Sequence, residues 1–254
     1  MRVQQTLTSI AETATQRYQL VVEAWRGIFE RTISAQDFGS PSRIEIAALD
    51  AQSIAIRYLE REVEAIERSL DGIALEARRA TLHDFSSIDA LDLTDEALEL
   101  VRDSARYLHD ELARQIKRDI ETLVQALRRV SLEVSRSARA RGVSKRAALM
   151  EYRISNRSGV HFSFQDRATR KWQSDKFVRT VWRHAALSLY NEVVLSTIAD
   201  HGETVALIDH AAGSSNFHGV QVSLMSSSEF PAFSEVRDEV FHPNSDHILR
   251  ARAA

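Results

Sequence analysis

The sequence predicts a mainly α protein, an elongated bundle of long helices followed by a small α+β module. Three observations lead there. Before Gly142 the breakers are only Gly27, Gly39, Gly72 and Pro41. Across the same residues apolar side chains recur in three- and four-residue steps, the spacing of one helix face. After Gly142 that pattern gives way to short alternating runs and turn residues. The expected boundary therefore falls at 142/143, with a helical, coiled-coil-like domain over 1–142 and the small module over 143–254.

In the first helix Leu7, Ile10, Ala14, Val21, Ala24 and Ile28 form the seam, with Arg17 as its one polar break. Ser42 and Glu45, just after Pro41, have the spacing of a capping box that would open the second helix. Its expected seam is Leu49, Ile56, Leu59, Val63, Ile66 and Leu70, and Gly72 is expected to end it. The third helix begins near Thr94, where Asp95, Glu96 and Glu99 sit at the positive end of the dipole. It runs to about Arg141. Its apolar positions from Val101 to Val134 recur every 3.7 residues or about that, which favours a nearly straight helix. At 1.5 Å per residue it spans roughly 70 Å, so the expectation is an elongated bundle.

In the module, a short helix over 144–156 precedes "GVHFSFQDRATRKW", where Val160, Phe162 and Phe164 alternate before turn residues 166–169, as in a hairpin. A helix over 174–200 is closed by Gly202. "TVALIDH" and "GVQVSL" have the pattern of strands, and "FSEVRDEV" that of a short helix after Pro231. Trp172 and Trp182 are expected in the core.

With 254 residues, 44% of them apolar, the chain can bury substantial cores. A formal net charge of −3 supplies no global attraction to nucleic acid or acidic membranes. The absence of cysteine excludes disulfides, thiolate zinc sites and a cysteine nucleophile. No signal-peptide core and no membrane-spanning apolar run occur, so a soluble protein made in the cytoplasm, without a membrane partner, is expected.

Chemistry could reside in the last stretch, which holds His210, His218, His242 and His247, with Asp209 beside the first. Imidazoles ligate zinc, and His210, His242 and His247 are the candidate ligands. Their spacings match no compact zinc motif, which favours no cofactor and a structural clasp of Asp209, His210, Gly219, His242, Pro243, Asn244 and His247. Pro243 would fix its turn and Asn244 bond its own backbone. "DHAAGSS" offers Ser214 or Ser215 as a nucleophile, but without a glycine-flanked elbow. No phosphate loop or dinucleotide fingerprint occurs, and no enzymatic activity is expected. A basic stretch contains Arg128, Arg129, Arg136, Arg139, Arg141, Lys145 and Arg146 against Glu133 alone. Such a patch can neutralise phosphates of packaged DNA. No aromatic residue is interleaved, which favours cations solvated at a helix C-terminus.

From Phe164 onward the order "DRATRKW", "FVRTVWRHAALSLYNEVVLSTIADHG", "VALIDHAAGSS", "HGVQVSL", "FPAFSEV" and "FHPNSDHIL" resembles the C-terminal module of phage minor capsid proteins. The closest resemblance is to the minor capsid protein 2 family, within the wider head-morphogenesis group that includes the Mu F-like proteins. It covers residues 164–249 and leaves the helical half outside. Asp209, His210, His242, Pro243, Asn244 and His247 match. Ser245 stands where the family carries a cysteine and Asp246 where it carries a basic residue, while Ser214 and Phe217 fall at or near two earlier cysteines. The sulfur-containing version looks like a metal knuckle or redox staple, and here the sulfur is missing. The resemblance implies a virion protein of few copies, in the head interior or at the portal vertex. It would be oligomeric in the particle, dock portal or major capsid subunits during head morphogenesis, and not be an enzyme. The rivals are a nucleic-acid-binding packaging or ejection factor acting through the basic stretch, and a metal-dependent hydrolase centred on His210, His242 and His247.

Overall fold

The computed structural model describes residues 2–86, 92–155, 159–210, 215–225, 229–242 and 245–252. Three long helices come first, α1 (Arg2–Ser34), α2 (Pro41–Asp84) and α3 (Asp95–Arg141). The short α4 (Lys145–Ser155) follows, then a hairpin of β1 (Ser163–Gln165) and β2 (Lys171–Gln173), and the buried helix α5 (Ser174–Asp200). The chain finishes with β3 (Val205–His210), β4 (Gln221–Ser223), α6 (Phe233–Val240) and β5 (His247–Ala251). The protein is thus mainly α with a small strand-containing C-terminal region.

The chain divides into two compact units. The first comprises Met1–Ala14, Glu62–Glu111 and Arg179–Ala254; the second comprises Thr15–Arg61 and Leu112–Val178. Each unit therefore draws on α1, α2, α3 and α5.

In the second unit, the α1 face centres on Tyr18 and Trp25, both fully buried. Trp25 donates its indole N–H to the Ala51 carbonyl of α2 at 3.1 Å and packs against Phe162 with ring centroids 5.7 Å apart. Small side chains make this approach possible: the buried positions of α2 here are Ile44, Ala47, Ala51, Ala55 and Tyr58. The expected seam is corrected over its first half, because Leu49 is 64% and Ile56 57% exposed, while Ile66 and Leu70 further along are buried as expected. A seven-residue repeat drifts by about 20° per heptad on a straight helix, so it cannot stay on the core face.

Two further expectations for α2 are corrected. The capping hydroxyl belongs to Ser40, whose Oγ accepts the Arg43 N–H at 3.2 Å, while the Asp37 carboxylate clamps the Arg43 guanidinium. Gly72 lies inside the helix. Burial of Leu70, Ile73, Ala74 and Ala77 around it outweighs the roughly 1 kcal/mol that glycine costs a helix. The start of α3 is as expected, with the Thr94 hydroxyl accepting the Ala97 N–H at 3.3 Å.

The hairpin pairs Phe164 with Trp172, and its turn is built on Asp166, whose carboxylate accepts the Arg170 N–H at 2.9 Å and the Trp172 indole N–H at 3.0 Å. The Arg118 guanidinium lies 4.3 Å from the Phe164 ring centroid, tying α3 to the hairpin.

In the first unit, α5 buries Val181, Trp182, Ala185, Ala186, Tyr190 and Val193. The sheet has the order β4-β3-β5, with antiparallel pairs on both sides of β3. Gly219, at φ +80°, donates its N–H to the Ile208 carbonyl at 2.8 Å, and Val220 returns its carbonyl to Ile208. A side chain would be strained there.

Candidate functional site

The C-terminal histidines assemble on the β3–β5 edge of the first unit. "FHPNSDHIL" contains the start of a strand, a role the sequence pattern did not reveal, and its register places His247 directly across from His210. Their rings lie 4.7 Å apart at 44°. Both nitrogens of His247 are engaged: Nε2 is 2.6 Å from Ser215 Oγ, and Nδ1 is 2.8 Å from Ser245 Oγ. The buried Ser245 hydroxyl also accepts the His247 N–H at 3.0 Å, and the Ser245 N–H reaches the His242 carbonyl at 2.8 Å. Burial, then the neighbouring His210 and His242 imidazoles, hold His247 below the ordinary histidine pKa.

Asp209 is turned away from this pair. Its carboxylate lies 3.2 Å from His218 Nδ1, which also accepts the His210 N–H, and 3.8 Å from Arg250. Arg250 reaches back to Asp84 at the end of α2, its Nε donating at 3.1 Å. Arg183 of α5 donates to the Ser245 carbonyl at 3.2 Å and pairs with Asp246. Asn191 of α5 accepts the Leu249 N–H at 2.8 Å, satisfying a backbone donor of β5.

The structure thus gathers Asp209, His210, Gly219 and His247 of the expected clasp, with the His242 carbonyl joining through Ser245. Pro243, Asn244 and Ser214 lie outside the described residues. Ser215, Ser245, Arg183 and Asn191 complete the clasp, and the sequence pattern placed none of the four in it. Ser215 does meet an imidazole, as a nucleophile would, but the group behind His247 is the Ser245 hydroxyl. The Ser-His-Asp triad has a carboxylate there to orient the imidazole and stabilise the imidazolium. Among the described residues no group of three or more His, Asp or Glu side chains is arranged to hold a metal. The arrangement is that of a hydrogen-bonded tie between strand and loop.

The basic stretch lies in the second unit. Arg128, Arg129, Arg136 and Arg139 share one solvent-facing arc of α3 with the exposed Leu132, at about 100° per residue. Arg141 is bound to Glu151 of α4. Lys145 and Arg146 open α4 and line a hollow together with Arg153.

Fold and site together define a mainly α protein with a histidine-tied C-terminal sheet. Family models, curated proteins and solved structures were each searched, and none matches this chain. No helix among the described residues is long and apolar enough to cross a membrane.

Proposed function

We propose that the chain is a minor structural protein of a tailed-phage or prophage-derived head, an adaptor docking portal or major capsid subunits during head assembly and carried in the particle as an oligomer. One observation carries this reading: the exposed row Ile46, Leu49 and Ile56 on α2, at 47%, 64% and 57% exposure. It repeats at coiled-coil spacing yet lies off the alanine-lined face that the chain itself buries. Covering what these half-exposed side chains still show yields about 1 kcal/mol each, so such a row is a ready contact for another subunit's helix. The C-terminal tie supports the reading too, because its chemistry is that of a strut and Asp209, His210, His242 and His247 in it match the phage module that the sequence resembles.

The test is quantitative mass spectrometry of purified particles assembled with the protein. Low-copy incorporation is expected, and Leu49→Ser with Ile56→Ser should abolish it while leaving urea unfolding of the isolated chain unchanged. Absence of the wild-type chain from purified heads would overturn the proposal.

A further inference from the structure

A hollow of about 450 Å³ opens in the second unit between the α1–α2 turn, the C-terminal half of α3 and α4. Its apolar lining comes from Phe38, Val134, Leu149 and Met150, and three cations, Lys145, Arg146 and Arg153, stand around it. Among the described residues none of the three cations has an ion-pair partner. Two carboxylates on the segments that border the hollow are committed elsewhere, Glu151 to Arg141 and Asp37 to Arg43. The hollow's outer wall is weakly held. Helix α4 has Ala148 as its one fully buried residue, and it leaves Met150 58% and Ile154 68% exposed.

Each feature narrows the occupant. A purely apolar partner would bury three unpaired cations, a cost of several kcal/mol per charge. Carboxylates on the partner remove that cost, and arginine binds them in a bidentate fork. A nucleic-acid backbone would also bring negative charge, but phosphate contacts use donors on an open surface and leave an apolar hollow unfilled. Sequence-tolerant single-strand binding would use a series of stacked aromatic rings, whereas the lining of this hollow supplies one, Phe38. Methionine and leucine around a recess, rimmed by arginine, suit an adaptable protein contact.

We infer that this hollow docks an acidic amphipathic segment of a partner protein, which inserts an apolar side chain over Phe38 and Met150 and pairs its carboxylates with Lys145, Arg146 and Arg153. The surface is separate from the α2 row, and the inference holds whether or not the partner belongs to a particle. The arginines along α3 extend the attraction beyond the hollow and favour encounter with an acidic partner.

The experiment is fluorescence anisotropy on the full chain with a short labelled helical peptide carrying glutamates on one face and leucines on the other. Companion probes replace its leucines by serine, replace its glutamates by lysine, or are a short DNA duplex. The acidic amphipathic peptide should bind, and the serine version should bind about tenfold more weakly or worse. Arg146→Glu with Arg153→Glu should cost a similar factor and should recover binding of the lysine peptide. These side chains are exposed, so urea unfolding should be unchanged; Met150→Ser, which alters no charge, should independently weaken the acidic peptide. Three results would overturn the inference: equal binding of the serine and leucine peptides, duplex DNA binding more tightly than the peptide at the same salt, or no binding at all. Self-association of the chain that disappears in the double variant would also overturn it, by assigning the hollow to a second copy.

Discussion

Tyr18 donates its hydroxyl to the Asp119 carboxylate at 2.5 Å, joining α1 to α3 in the interior of the second unit. Ser174 and Gln115 donate to the same carboxylate at 2.7 and 3.0 Å, so the first residue of α5 is fastened there as well. Burial raises the Asp119 pKa, and these three hydrogen bonds oppose the rise. Because the folded value is raised, the group's contribution to stability is present below its unfolded pKa and is lost as pH climbs through the folded one. Tyr18→Phe removes one of the opposing bonds. It should lower stability by about 1–3 kcal/mol at neutral pH, measured by urea unfolding, and should move the Asp119 titration further upward in carboxyl NMR.

Asn191 holds β5 to α5 through the Leu249 N–H. Asn191→Leu should strand that buried donor at a cost of about 1–3 kcal/mol. Hydrogen exchange should locate the damage, with the Leu249 amide losing protection ahead of Ile208 in the central strand.

The first unit should weaken in mild acid. His247 is held below its ordinary pKa, and His184 likewise, by burial and then by Arg237. Unfolded histidines take up protons near pH 6.5, while these two in the folded state take them up only at lower pH. Protons therefore favour the unfolded chain as pH falls through about 6.5, and stability drops. Urea unfolding from pH 8 to pH 5 should show that fall, and His247→Gln should flatten it. Chelator should leave the profile of the wild type unchanged, whereas Ser245→Ala should lower stability across the whole range.

Two glycines should respond oppositely to alanine. Gly39, at φ +94°, would place a Cβ 3.1 Å from the Ser131 hydroxyl, so Gly39→Ala should be destabilising. Gly72 lies in a helix interior with open space around it, so Gly72→Ala should raise stability by up to about 1 kcal/mol. Thermal unfolding of the two variants separates them by sign.

Element identity was legible because breakers and periodicity are local properties: α5 matches residues 174–200, and α3 starts at its threonine cap. The burial face of the first half of α2 was not. Alanine signals little by hydrophobicity, yet Ala47, Ala51 and Ala55 face the core because only small side chains admit Trp25 beside them. In the C-terminal site Asp209 and the histidines were readable as one cluster, but the serines, Arg183 and Asn191 that join it, and its wiring, were not. That His247 bonds Ser215 and Ser245 while Asp209 turns to His218 and Arg250 follows from strand register, which no spacing encodes. The Tyr18–Asp119 bond was equally invisible, since a lone aspartate in an apolar seam reads as an interruption until its donors are known.

The makeup of the first unit has a consequence for how the protein is born. Its segments come from the two ends and the middle of the chain, and its central strand β3 is flanked by β5, within ten residues or so of the last one described. At roughly 5–20 residues per second, a ribosome needs about 12–47 seconds to pass from Ala14 to that strand. Until then the opening turns of α1 and the second half of α2 lack α5 and the sheet, the parts of their unit made last, and expose apolar faces to whatever chaperone or neighbouring chain is at hand. The second unit, complete by Val178, can close first. Folding during synthesis is therefore expected to proceed from the middle outward, with the β5 strand as the closing step.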